Sequence, residues 1–155
     1  MADDLTAHLS LLADVVKETG HPVLAAYIAD SDYGRLAGSS PNSGLWHTWL
    51  DRRTAYAFER DHQVMAGLPK AAAVAHAQGL IQTTGLRPTE AARRVASWAT
   101  DAGYHASATS IRQIIDLRRP PGISAWLRLP WARFVFAEEM FFAILDHLGV
   151  PRRPA

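Results

Sequence analysis

Seven histidines, fifteen acidic residues and a serine-rich loop are the raw material for chemistry in this chain. In "ERDH", Glu59 and His62 stand three apart, a spacing found in carboxylate-bridged metal sites. One copy is not enough, because such a site needs a second and two further glutamates, so the pair reads as solvated surface. Asp146 and His147 are neighbours on a helix and therefore face different directions. The loop "AGSSPNSG" lacks the lysine and following helix of a phosphate-binding loop, and nothing supports Ser39, Ser40 or Ser43 as a nucleophile. There is no cysteine, which removes disulfides, zinc–thiolate sites, iron–sulfur clusters and a cysteine nucleophile together. The expectation is a non-enzyme without metal or cofactor. What remains is recognition through hydrogen bonds and charge, and "DAGYHASATSIRQIIDLRRPPG", residues 101–122, offers both.

Those side chains need elements to hold them. Leu5, Leu9, Leu12 and Val16 recur at four-, three- and four-residue steps, so 4–19 reads as an amphipathic helix ended by Gly20 and Pro22. On either side of "GSSPNSG", a cluster of turn formers, two short apolar runs predict antiparallel strands over 33–38 and 45–50. "TAYAF" alternates Tyr56 and Phe58 as a third strand would, although Asp51 could equally cap a helix there. Trp46 and Trp49 are three apart and fall on opposite faces of such a strand. One of them is then exposed beside Tyr33, Tyr56 and Phe58, which suits a dimer or partner surface.

From residue 69 onward the signals are helical. Pro69 suits a first turn, an alanine run follows, and Gly85 suits a stop. Thr89 as N-cap, Glu90 in the first turn, the stripe Ala92, Val95, Ala96 and Ala99, and Gly103 at C′ define the next helix. Ser107 caps another, which turns Ile111, Ile114 and Ile115 inward and runs to Arg118 or Arg119, where "PPG" stops it. A last helix, from about Pro130 to Leu148, has Trp131, Val135, Phe142 and Leu145 as core, and Trp98, Trp126 and Trp131 read as packing.

Charge is unevenly spread. The net value is only +1, but residues 1–86 balance to −3 and residues 87–155 to +4, an asymmetry that suggests one part meets a polyanion. Ordinary solvated arginines account for the same numbers equally well. The opening "MADDLTAHLS" carries acids where a signal peptide would carry positive charge, so the expected location is the cytoplasm. No unbroken apolar stretch is long enough to span a membrane, since Glu138, Glu139 and Asp146 interrupt "FVFAEEMFFAILDHLGV".

A helix-turn-helix needs a helix packed across the next, a turn often containing glycine, and an exposed N-terminal end on the second helix. Residues 89–118 supply all three. "TEAARRVASWATDAGYHASATSIRQIIDLRRPP" resembles the Cro/C1-type helix-turn-helix of phage repressors, and most of all the actinobacterial nucleoid-associated regulators of that class. These share a glycine, a long turn carrying a serine, and a helix of the form small-x-aliphatic-x-Gln-aliphatic before a basic stretch. The "ILDHLGV" ending is similar to that fold's closing helix, and the likeness covers roughly residues 70–150.

The resemblance implies roles by position. Ser107, Thr109 and Ser110 would bond phosphates or base edges, and Arg112 and Gln113 suit guanine and adenine edges. Arg118, Arg119, Arg93 and Arg94 would contact phosphates, setting affinity and salt dependence. In the competing, purely structural reading, Ser107 is only a cap and Arg118 or Arg119 complements a helix dipole. The expected fold is α+β: an N-terminal helix and small antiparallel β-meander (1–68, dimerisation or regulatory), a helix-turn-helix helical domain (69–150) and a tail (151–155). The function implied is a DNA-binding transcriptional regulator, a repressor of phage or actinobacterial type, acting on double-stranded DNA as a homodimer. The alternative is an antitoxin-like or inhibitor interaction module with a degenerate helix-turn-helix and an aromatic partner surface.

Overall fold

The computed structural model describes residues 2–29, 32–116 and 137–151. The protein is α+β, with an N-terminal helix, a three-stranded antiparallel sheet and then helices. Helix α1 (Ala2–Thr19) ends before Gly20 and turns Val16 inward, with Leu9 and Leu12 half-buried on the same stripe. Strands β1 (Val23–Ala29), β2 (Tyr33–Ser39) and β3 (Trp46–Leu50) follow as a meander. β2 and β3 lie where the turn-bounded apolar runs predict them. β1 goes unread in the sequence because "VLAAYIA" is apolar throughout and lacks the period of two that marks a half-solvated strand.

The reason is that helices cover both faces of the sheet. Leu24, Ala26 and Ile28 of β1, Leu36 of β2, and Trp46 and Leu50 of β3 face helices α4 (Pro88–Asp101), α5 (Ala108–Ile115) and α6 (Ala137–Leu148). On the other face Tyr33 and Trp49 meet Ala55 and Ile81 from helices α2 (Arg52–Met65) and α3 (Lys70–Thr83). The Tyr27 ring on this second face meets His8 of α1 at 5.6 Å. Trp46 and Trp49 do face opposite ways, but both are buried, at 4% and 3% exposure. The exposed tryptophan expected beside the N-terminal aromatics does not exist. Gly38 is what lets Trp46 lie flat on β2, since a Cβ there would come within 2.4 Å of its Cζ2.

"TAYAF" is helix, not strand. Asp51 ends β3 by taking the left-handed conformation (φ 50°), and its carboxylate accepts from the Thr54 amide at 3.0 Å and the Thr54 hydroxyl at 2.9 Å. Ala55 and Glu59 then repeat at the helical step of four and are the buried positions of α2. Asp51→Ala removes the cap and places a Cβ-bearing residue with no side-chain acceptor in a left-handed conformation. It should lower the unfolding free energy by about 1–2 kcal/mol, with Asp51→Asn close to wild type in the same denaturant titration.

Helices α4 and α6 also differ from the sequence pattern. Thr89 does not cap α4: Arg87 does, without a side-chain bond, because the residue before Pro88 is held extended (φ −67°, ψ 153°) and proline takes the first helical position. In α6 the buried residues are Ala137, Met140, Ile144 and Leu148, whereas Phe142 is 42% exposed and Leu145 half-buried. The stripe is thus rotated from the one anticipated through Phe142 and Leu145. Trp126, Trp131, Val135 and the start of that last helix lie outside the described residues. The larger core joins Leu36, Trp46 and Leu50 to Val95, Trp98, Ile111, Ile115 and Ile144, so segments 1–68 and 69–150 both build it.

Candidate nucleic-acid interface

The two helices singled out by sequence are joined by a turn over 102–107. Gly103 takes φ 78°, and the amides of Gly103 and Tyr104 donate to the carbonyls of Thr100 (3.1 Å) and Ala99 (2.7 Å), which closes α4. Ser107 then opens α5, its hydroxyl accepting from the Ser110 amide at 3.4 Å. The Ser107 amide itself donates to His147 Nε2 of α6 at 3.3 Å, so the closing helix holds the turn as well as the core. Ile111 and Ile115 are buried, at 0% and 3% exposure, and Ile114 packs partly beside them.

With one side of α5 fixed in the core, the other side is free. Thr109, Arg112, Gln113 and Asp116 follow at steps of three, one and three and all are exposed, forming one outward polar face. Ser107 is exposed and Ser110 half-buried, and both take part in the cap. The only ion pair of Arg112 among the described residues is with Asp116, at 4.0 Å, a surface contact of small worth.

The arginines of α4 divide. The Arg93 side chain is 70% exposed and among the described residues pairs only with Glu90, at 3.6 Å, so it is available to a partner. Arg94 also approaches Glu90, at 3.5 Å, but it donates to the Ser43 carbonyl at 2.9 Å and is committed to the fold. Arg118 and Arg119 lie outside the described residues. Sequence reading missed Arg87, exposed at the start of α4, and Arg52 at the start of α2. Burial chiefly, and then Arg87, push the Arg52 guanidinium below its usual range, while Asp116 counteracts this. The start of α2, the start of α4 and the end of α5 therefore share one electrostatic neighbourhood. No sequence signal foretells that, since folding alone brings positions 52, 87 and 116 together. Arg52 donates to the carbonyls of Ile81 (2.5 Å) and Leu86 (3.5 Å), which makes it a tie between α2 and the α3–α4 connection.

The serine-rich loop is a latch for α4. The Ser40 and Ser43 hydroxyls donate to Asp101 Oδ2 at 2.5 Å and 2.8 Å, Asn42 Nδ2 donates to Oδ1 at 3.1 Å, and Ser43 Oγ also meets Ser97 Oγ at 2.9 Å. These bonds, that of Ser40 first and then those of Ser43 and Asn42, hold the Asp101 carboxyl below the usual carboxylate range. A depressed folded-state pKa contributes stability that is present above the unfolded value and lost as pH falls through the folded one. Amide signals of Ser40, Asn42 and Ser43 should thus hold steady down to the ordinary aspartate range and shift only below it, and in Asp101→Asn they should lose that transition.

Glu59 is not solvated surface. It is 9% exposed and accepts from Gln63 Nε2 at 2.8 Å while its Oε1 lies 3.2 Å from His76 Nε2, joining α2 to α3 rather than pairing with His62. Among the described residues no group of three or more histidines, aspartates and glutamates gathers as a metal site would need. No helix among them is long and apolar enough to cross a membrane. Compared with known proteins, the chain matches no family model, no curated protein and no solved structure.

Proposed function

We propose that the chain binds double-stranded DNA as a transcriptional regulator, with α5 as the helix that enters the major groove. The observation that carries this is the division of α5: Ile111 and Ile115 anchor it in a well-packed core, while Thr109, Arg112 and Gln113 stand outward with no strong partner among the described residues. An α-helix with its side chains is about 10–12 Å across, which fits the roughly 12 Å width of the major groove, so α5 can lie in it. Arg112 suits a guanine edge and Gln113 an adenine edge, and the exposed Arg93 and Arg87 supply charge for phosphates. Arg94 drops out of the phosphate-contacting set because the Ser43 carbonyl uses it. The same reading carries the expected cytoplasmic location and a homodimer that spans two half-sites one helical turn apart.

A titration of the purified protein against random and source-genome duplexes at two salt concentrations tests it. Binding should fall steeply with salt, by about one logarithmic unit per tenfold salt for each phosphate neutralised, and one genomic fragment should be preferred. No binding at low salt would reject the proposal.

A second reading has an observation of its own. α2 leaves Phe58 (42%), Val64 (43%) and Met65 (80%) exposed, which favours a protein partner or the dimer contact itself. Tight one-to-one association with another protein that persists at high salt would support it over DNA.

A further inference from the structure

On the sheet face opposite α4–α6, β2 presents an arginine whose surroundings do not use it. Tyr27, Arg35 and Trp49 are in register across the three strands, and His47 stands one row away on the same face. The Arg35 guanidinium carbon lies 3.7 Å from the centroid of the Trp49 ring, and Nη1 is 3.5 Å from His47 Nδ1. These are its only contacts of this kind among the described residues. The other half-buried arginines there each reach an oxygen: Arg52 two carbonyls, Arg94 the Ser43 carbonyl, and Arg60 the Asp61 carboxylate at 2.6 Å. Arg35 reaches none. A guanidinium carries five N–H donors in a fixed fork that fits two oxygens of one group, and here at most one of them has even a long acceptor.

The arrangement is also ordered in advance. Stacking on Trp49 fixes the guanidinium plane, and His47 is fixed in turn, because its carbonyl accepts the Leu86 amide at 2.8 Å and its ring lies against Gly85. Both side chains are half-buried, so each keeps an edge toward solvent in a setting where a charge-assisted bond is stronger than in water. Burial lowers Arg35 to about 10, and burial followed by the Arg35 charge lowers His47, so a neutral imidazole stands beside a guanidinium that meets no carboxylate among the described residues.

We propose that Arg35 and His47 form a binding site for an oxyanion group, a carboxylate or a phosphate, of a small ligand, with Trp49 as the platform that aims the guanidinium. The site is separate from α5 and stands or falls independently of DNA binding.

Inorganic phosphate and acetate, each titrated at constant ionic strength with chloride as the reference, distinguish the two sources of the group. His47 ring signals in 1H–13C spectra should move saturably with one or both, and the tighter of the two identifies the chemistry. Arg35→Gln should weaken that binding about tenfold or more, and Arg35→Lys should retain part of it. If Arg35→Gln does not fold, as judged by thermal unfolding, calorimetry on His47→Gln takes its place and should show a comparable weakening. Signals that fail to saturate with either anion, or an unchanged affinity in a folded variant, would overturn the proposal.

Discussion

Ile111→Ala is expected to lower the unfolding free energy by about 2–5 kcal/mol, and Ile111→Val by about 0.5–1.5 kcal/mol, in denaturant titrations. Ile111 is fully buried and belongs to the cluster that includes Val95, Trp98 and Ile144, so truncation leaves a cavity walled by two other helices. α5 has only eight residues, too few to be stable by itself, and Ile111 and Ile115 are its buried anchors. The alanine variant should therefore also lose DNA binding, at denaturant concentrations where the wild type is still folded. A loss of stability below about 0.5 kcal/mol would mean that α5 is not seated on the core as described.

Joint replacement of Arg112 and Gln113 by alanine should do the reverse, leaving the fold intact and removing recognition. Each side chain is exposed, and the Arg112–Asp116 pair at 4.0 Å is worth little, so unfolding should change by no more than about 0.5 kcal/mol. Specific DNA binding should weaken by about 1–3 kcal/mol for each residue that meets a base edge. The two are adjacent, so the double variant need not equal the sum of the singles. Binding to random DNA should fall much less, because phosphate contacts dominate it. Equal losses on specific and random duplexes would assign these residues to the backbone and not to the bases.

The elements that sequence disclosed were those with local signals. The Ser107 cap, the Gly103 stop and the Ile111–Ile115 pair each depend on neighbours within a turn or two, and each is where the pattern puts it. Elements that depend on tertiary cover were harder to read. β1 is uniformly apolar because helices lie on both sides of the sheet, and for the same reason neither Trp46 nor Trp49 reaches solvent. "TAYAF" alternates like a strand, yet one capping aspartate in a left-handed conformation turns it into a helix. Pro88 decided the start of α4 against Thr89, a case where backbone restriction outweighed a capping side chain.

The outward face of α5 was legible in part, since Thr109, Arg112 and Gln113 follow from the helical period once the isoleucines are placed. Arg94 was not, because its partner is a carbonyl 51 positions earlier, on a loop docked by Asp101. The nearness of Arg87 and Arg52 to the end of α5, and the row that joins Arg35 to Trp49, are products of topology that no window of sequence contains.

Whether α5 meets DNA with its outward face can be read by NMR mapping. In uniformly labelled protein titrated with the preferred duplex, the backbone amides of 107–113, the Arg112 Nε–H and the Gln113 side-chain amide should shift most, with Arg93 and Arg87 next. Ile111 methyl signals should stay nearly still. Shifts concentrated instead on Phe58, Val64 and Met65 of α2, or on Arg35 and His47, with α5 unmoved, would contradict that contact.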